Sequence, residues 1–353
     1  MKISFVMSNC PRKPTGGHKI VFEYANYLAR NNNVTIYFGY AESFSRFHFP
    51  VFLKEFLART ATKYFRPNWF KLINVHKVCV KNFSNNSISN SDIVIATDVK
   101  TAIPVFGLEE CKGKKMYFIQ DFENWNVSDE YVKSTYCLNM KKIVVSKWLR
   151  ELIGSLSDDS NIYYISNSIN TNIFKNTNEV RKDHSIVFQY RSNIAKGCKY
   201  AIDVISKLRI IYSDLLVTII SNEKKLDNIP SWCEYRYNVS QLEVAKINNS
   251  SQVFICTSIE EGFGLPGLEA MACGCAVAST AYKGVYEYAI DGENALLSPP
   301  RDVDAMVTNI RKLFDDDALR NRIVENGIKT GKERSLEKSA EQFERIMLRE
   351  SST

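Results

Sequence analysis

The sequence predicts an α/β protein with parallel sheets, and three observations lead there. Strand and helix signals alternate from one end of the chain to the other, as in parallel strands joined by crossover helices. The 353 residues suffice for two domains of ordinary size. Late in the chain a strand, a glycine-rich turn, a helix and a further strand follow without a break. That is the layout of a phosphate-binding crevice in a parallel sheet.

In the first half, apolar runs predict strands at Ile3–Met7, Val34–Phe38, Ile93–Ala96, Met116–Ile119 and Ile143–Val145. Ile20, Val21, Tyr24, Tyr27 and Leu28 form an apolar stripe at helical spacing, which predicts a helix from about His18 to Arg30. Ser84–Ser91 is polar and rich in Asn and Ser, a loop composition. Asp158–Asn161 reads as a turn and Lys175–His184 as a linker. A second α/β series starts with a strand at Ser185–Tyr190. A helix from about Lys199 to Tyr212, a strand at Leu215–Ile220 and a short helix at Gln241–Asn248 follow. Helices are expected at Met306–Phe314, Ala318–Lys329 and Leu336–Leu348.

Val253–Ser258 predicts a buried strand running into Glu261-Gly262-Phe263-Gly264-Leu265-Pro266-Gly267-Leu268-Glu269. Pro266 suits the first helical position, where a missing N–H costs nothing. Glu269 is then expected in the first turn, where an acidic side chain is favoured. Gly274 supplies a helix stop, and the strand Ala276–Ser279 follows. Glycines let backbone N–H groups approach an anion closely. A carboxylate repels phosphate, so Glu261 and Glu269 suit neutral hydroxyls instead. A nucleoside diphosphate sugar offers that pattern, with hydroxyls at both ends and two phosphates between. Gly262-x-Gly264-x-x-Gly267 also fits a dinucleotide fingerprint, but such a site usually heads its domain. A purely structural turn is the other alternative.

The stretch SIEEGFGLPGLEAMACGCAVAST resembles the signature of retaining glycosyltransferases of family 4, which have the GT-B fold. Their two glutamates are separated by seven residues, the separation of Glu261 and Glu269. The resemblance implies two Rossmann-like domains with parallel sheets facing a central cleft: residues 1–168 on the acceptor side and 169–334 binding the nucleotide sugar. It implies a C-terminal helix, 335–353, returning to the first domain. It further implies that Glu261 contacts the donor sugar, Glu269 the ribose diol, and that Gly262, Phe263, Gly264 and Leu265 line the donor site. Arg191 and Lys196-Gly197 fit the family's basic pair, two cations able to neutralise a leaving diphosphate. Gly16 and Gly17, after the first strand, fit a loop facing the donor phosphates; the alternative is an ordinary strand–helix turn.

Gln120-Asp121-x-Glu123 resembles a subgroup that includes bacterial rhamnosyltransferases, with Asp121 where many members carry a His. Asp121 would bind an acceptor hydroxyl or take its proton, or else cap the following helix. Ser166–Phe174 is similar to the family's interdomain segment, with Ser168 and Asn170 in place of Gly and Asp. Tyr282–Tyr288 and Asp291–Ala295 align with a segment that shapes the second domain's crevice. The implied activity is hexosyl transfer from a nucleotide sugar to a saccharide or lipid-linked saccharide, in a bacterial surface-polysaccharide setting. No cofactor or metal is expected: a fixed cation pair can do a metal's charge-neutralising work, and no metal-holding Asp-x-Asp is expected in the chain. An inactive sugar-binding or partner protein of the same fold is an alternative, as is a sugar-nucleotide epimerase or a phosphorylase.

Charge and composition narrow the setting. Hydrophobic residues make up 45% and charged residues 24%, and the formal net charge is +7. No apolar run approaches the roughly 20 residues of a membrane span. The apolar part of the N-terminus is too short for a signal peptide and reads as a first strand. The nine cysteines lack CxxC pairs, and Cys273 and Cys275 have no His nearby, so packing roles and a cytoplasmic setting are expected. Between Phe44 and Leu72 the cations Arg46, Lys54, Arg59, Lys63, Arg66 and Lys71 face Glu55 alone. The same stretch holds Phe44, Phe47, Phe49, Phe52, Phe56, Tyr64, Phe65, Trp69 and Phe70. Basic and aromatic residues interleaved in this way suit an anionic membrane surface; packing within the domain is the alternative. No nucleic-acid motif accompanies the charge.

Overall fold

The computed structural model describes residues 1–40, 50–224 and 228–352. The chain divides into two compact units, Met1–Ser166 with Glu337–Thr353, and Asn167–Leu336.

The first unit contains β1 (Lys2–Met7), α1 (Gly16–Leu28), β2 (Asn33–Gly39), α2 (Val51–Thr60), β3 (Val75–Val80), β4 (Ile93–Ala96), α3 (Val99–Phe106), β5 (Lys114–Ile119), α4 (Asp129–Tyr136), β6 (Lys141–Val144), α5 (Lys147–Gly154) and β7 (Ile162–Tyr164). Its seven strands lie in the order β3-β2-β1-β4-β5-β6-β7. All of their pairings are parallel. The chain builds outward from β1 in one direction and then restarts at β4 on the other side. The central strands β1, β4 and β5 are largely apolar because helices shield them from water.

The second unit contains β8 (Ser185–Tyr190), α6 (Cys198–Ile211), β9 (Leu216–Ser221), β10 (Glu234–Tyr237), α7 (Gln241–Ser250), β11 (Val253–Cys256), α8 (Leu265–Ala272), β12 (Ala276–Thr280), β13 (Leu296–Ser298), α9 (Val303–Asp315) and α10 (Asp317–Glu333). Its six strands run β10-β9-β8-β11-β12-β13, again all parallel. The order reverses between β8 and β11. Ile186, Phe188, Ile219, Val253, Ile255, Ile310 and Leu313 are among the buried side chains of its core.

The last helix, α11 (Leu336–Ser351), packs in the first unit. Phe343 lies 6.2 Å from Phe5, 4.7 Å from Tyr24 and 5.6 Å from Phe118, ring centre to ring centre. The Tyr163 hydroxyl donates to Glu350 at 2.5 Å.

Several expectations need correction. Helix α1 starts at Gly16, so Gly16 and Gly17 form its first turn and not a loop ahead of it. Helix α8 starts at Leu265, which makes Pro266 its second residue and carries Glu269 past the first turn. The shift arises because Gly264 ends the preceding turn in a left-handed conformation and caps the helix. Phe44, Arg46, Phe47 and Phe49 lie outside the described residues.

Candidate active site

In an open parallel sheet, ligands bind beyond the carboxyl ends of the strands where the strand order reverses. In the second unit that place is the pair of loops following β8 and β11. The first loop carries Arg191 and Lys196, and the second carries Glu261 and the glycine turn.

The two loops are tied together by backbone. The Ile259 N–H donates to the Ala195 carbonyl at 2.7 Å, and the Thr257 hydroxyl to the Gly197 carbonyl at 3.0 Å. Gly197 has φ +59°, and a Cβ there would lie 2.0 Å from the Thr257 carbonyl oxygen. Only glycine permits this approach. The result brings Lys196 and Glu261 together: Nζ to Oε1 is 2.8 Å, with both side chains mostly buried. The Ser258 hydroxyl donates to the same carboxylate oxygen at 3.2 Å.

Arg191 stands at the start of the first loop, its Nη1 donating to the Tyr190 carbonyl at 2.7 Å. Burial lowers its pKa, opposed first by the nearby Glu223. Glu223 in turn accepts the Ser192 N–H at 3.1 Å. Sequence reading missed Glu223, which follows β9 with no motif around it.

The glycine turn is held from behind. The Tyr288 hydroxyl donates to the Gly264 carbonyl at 2.9 Å and lies 2.9 Å from the Tyr282 hydroxyl. The Phe263 ring packs 5.4 Å from that of Tyr288. Burial pushes both phenol pKa values well above their usual value, so both stay protonated as donors. The sequence marked this stretch as crevice-shaping but did not show which side chains do it. Gly262, Phe263, Gly264, Leu265 and Glu269 are all buried. A Cβ on Gly264, which caps α8, would lie 2.9 Å from Glu261 Oε2, so the helix start adjoins the Lys196–Glu261 pair, while Glu269 sits a turn further along the helix.

Gly16, Gly17 and Asp121 belong to the first unit, at the carboxyl ends of β1 and β5. The Gln120 amide donates to the Gly17 carbonyl at 3.1 Å, which ties the segment after β5 to the first turn of α1. Asp121 does not cap a helix: no helix starts until Asp129, and Ser128 caps that one. Its Oδ1 instead accepts the Phe122 N–H at 2.9 Å. Glu123, which was assigned no role, accepts the Val99 N–H at 2.7 Å. Burial pushes its carboxyl up to about 8, helped by Asp98 and more weakly by Asp121.

Asp-x-Asp spacings do occur, at Asp302 and Asp304 and at Asp315 and Asp317. Asp315 accepts from the Tyr212 hydroxyl at 2.7 Å, and Asp317 pairs with Arg320. Asp302 caps α9 by accepting the Ala305 N–H at 2.9 Å, and Asp304 pairs with Lys207 at 2.6 Å. Among the described residues, no three His, Cys, Asp or Glu side chains group as metal ligands. All nine cysteines are free thiols, and Cys273 and Cys275 are buried.

Residues 169–330 match the family described as glycosyl transferases group 1. The glycosyl transferases group 1 segment thus contains Arg191, Lys196, the glycine turn and both signature glutamates. The O-antigen chain mannosyltransferase B of Escherichia coli is 32% identical over 106 residues, which are 30% of this chain and 27% of that protein. An uncharacterized glycosyltransferase of Methanocaldococcus jannaschii is 29% identical over 203 residues, 56% of each chain. The capsular polysaccharide biosynthesis glycosyltransferase CapM of Staphylococcus aureus is 33% identical over 81 residues, 23% of this chain and 21% of that protein. The chain thus spans between about a fifth and just over half the length of these curated relatives.

Solved structures match over nearly the whole length. Sucrose-phosphate synthase from Thermosynechococcus elongatus has a TM-score of 0.78 at 14% identity, covering 99% of both chains. HepE of Anabaena, solved in complex with UDP-glucose, has a TM-score of 0.75 at 15% identity, covering 98% of this chain and 99% of its own. These likenesses show the fold, and the two parallel sheets with their helices are those of GT-B glycosyltransferases.

Proposed function

We propose that the protein is a retaining glycosyltransferase that moves a hexosyl group from a nucleoside diphosphate sugar to a saccharide or lipid-linked saccharide. The observation that carries this reading is the Lys196–Glu261 pair, seated beside the start of α8 within the glycosyl transferases group 1 segment. The glycine turn and the α8 N-terminus offer backbone donors to a diphosphate. Lys196 and Arg191 offset the charge that grows on the leaving phosphate. Glu261 accepts from donor-sugar hydroxyls and Glu269 from the ribose diol. The bond between the anomeric carbon and the phosphate oxygen breaks as the acceptor oxygen bonds to that carbon on the same face. The acceptor's proton passes to the leaving diphosphate. Arg191 and Lys196 take the part a divalent cation would otherwise play, so transfer proceeds without a metal. The named mannosyl and capsular relatives support a place in surface-polysaccharide synthesis.

Calorimetry on the intact chain tests the donor site. Glu269→Ala should weaken nucleoside diphosphate binding by about 1.5–3 kcal/mol through lost charge-assisted hydrogen bonds. Glu261→Ala should lower turnover more than nucleotide affinity. Unchanged binding in Glu269→Ala would remove the ribose role, and loss of turnover in excess EDTA would remove the metal-free mechanism.

A further inference from the structure

Helix α2 and the five residues that continue it, Ala61–Phe65, leave large aromatic side chains in water. Phe52 is 75% exposed, Phe56 65%, Tyr64 65% and Phe65 69%. Burying such rings is favourable, so four left outside a packed unit form an unusual surface. The aromatics further along behave differently. The Trp69 and Phe70 rings lie 5.6 and 5.4 Å from Phe22 and complete the core on that side. The segment therefore sorts its aromatics into an inward pair and an outward set.

The outward set is accompanied by cations. Phe52 and Phe56 share one helix face, and the same row continues to Arg59 and Lys63. Glu55, the only acid between residues 50 and 72, is already paired with Arg59 at 2.6 Å. Lys63 sits over the Tyr64 ring at 5.0 Å, and Lys13 and Lys71 are exposed. Beside Phe65 opens a pocket of about 270 Å³ lined by Arg12, Phe65, Arg66 and Asn68. Two guanidinium forks and an amide are donors suited to phosphate oxygens.

We propose that this face of the first unit docks on the surface of an anionic bilayer. Phe52, Phe56, Tyr64 and Phe65 enter the headgroup layer, and the pocket between Arg12 and Arg66 takes a lipid phosphate. The combination is that of an interfacial helix, with aromatic insertion supplying apolar burial and cations supplying attraction to anionic lipid. Fifteen helical residues lying flat span roughly 22 Å of surface.

Vesicle co-sedimentation of the full chain at low salt tests this. Vesicles containing phosphatidylglycerol should retain the protein, and pure phosphatidylcholine vesicles should not. The double variant Phe52→Ser with Phe56→Ser should bind about tenfold more weakly or worse, while circular dichroism stays native because both rings are exposed. Arg12→Gln, a change at an exposed residue, should weaken binding severalfold and flatten its salt dependence. Equal binding to both vesicle types, no binding at low salt, or unchanged binding in both variants would overturn the proposal. A concentration-dependent dimer that the double phenylalanine variant abolishes, without vesicle binding, would assign the face to a second copy and also overturn it.

Discussion

Gly264 has φ +90°, and a Cβ there would stand 1.9 Å from the Tyr282 hydroxyl. Strain and collision coincide at one backbone position, the one that caps α8. Gly264→Ala should cost about 1–3 kcal/mol from the dihedral alone and displace Tyr282 as well. Thermal unfolding reads the loss, and weaker nucleotide binding should accompany it. Glu123 provides a residue-scale test in the first unit. Its carboxyl titrates near 8 in the folded state against an ordinary 4.5. Between those values the unfolded chain ionises while the folded chain keeps its proton. Stability from this group is therefore full below the ordinary value, falls as pH rises through that window, and levels off above about 8. Glu123→Gln should remove this slope while its amide oxygen still accepts the Val99 N–H. Urea midpoints at pH 5 and pH 8 should then differ less in the variant than in the parent.

At the scale of elements, α8 is the piece the candidate site depends on, and two tyrosines from the segment after β12 hold its start. Tyr288→Phe keeps the ring against Phe263 but leaves the Gly264 carbonyl and the Tyr282 hydroxyl short of a partner. A stability loss of about 1–3 kcal/mol is expected, with a rise in KM for the donor exceeding any change in kcat. Sequence legibility also divides along elements. Central strands such as Phe5–Met7 or Val253–Cys256 are shielded on both faces and read directly as apolar runs. The four strands not anticipated, β3, β7, β10 and β13, are the outer strands of their sheets. The sequences of β3 and β10, VHKVCV and EYRY, carry charge because one side meets water, and β7 and β13 are only three residues long. Glu261 and the glycine turn were legible because glycine, proline and acid fall at fixed offsets within one short stretch. Lys196 lies 65 residues earlier, and only the parallel pairing of β8 with β11 brings the two side chains together. Ser258, Glu223, Tyr282 and Tyr288 act through partners distant in sequence or through ordinary loop positions, which leave no local pattern.

At the scale of the whole molecule, the chain has two separate cores, each with its own parallel sheet. Phe343→Ala should therefore act on one of them. Removing a ring packed on Phe5, Tyr24 and Phe118 should cost the first unit about 3–5 kcal/mol. The core of residues 167–336 contains none of those contacts. Calorimetry should show one transition moving down and the other staying in place; a single shared transition shifting as a whole would count against independent cores. The fold class itself was legible from alternation and length, because burial on both faces of a parallel sheet imposes apolar sequences on its central strands.

Because α11 completes the first unit, that unit is interrupted in sequence by the whole of the second. On the ribosome, the segment that begins later is finished earlier: every strand and helix of residues 167–336 has been synthesised before Phe343 is. The half that starts first must wait, with Phe5, Tyr24 and Phe118 still lacking their last aromatic neighbour. Its nascent form is the one that needs protection from aggregation during translation.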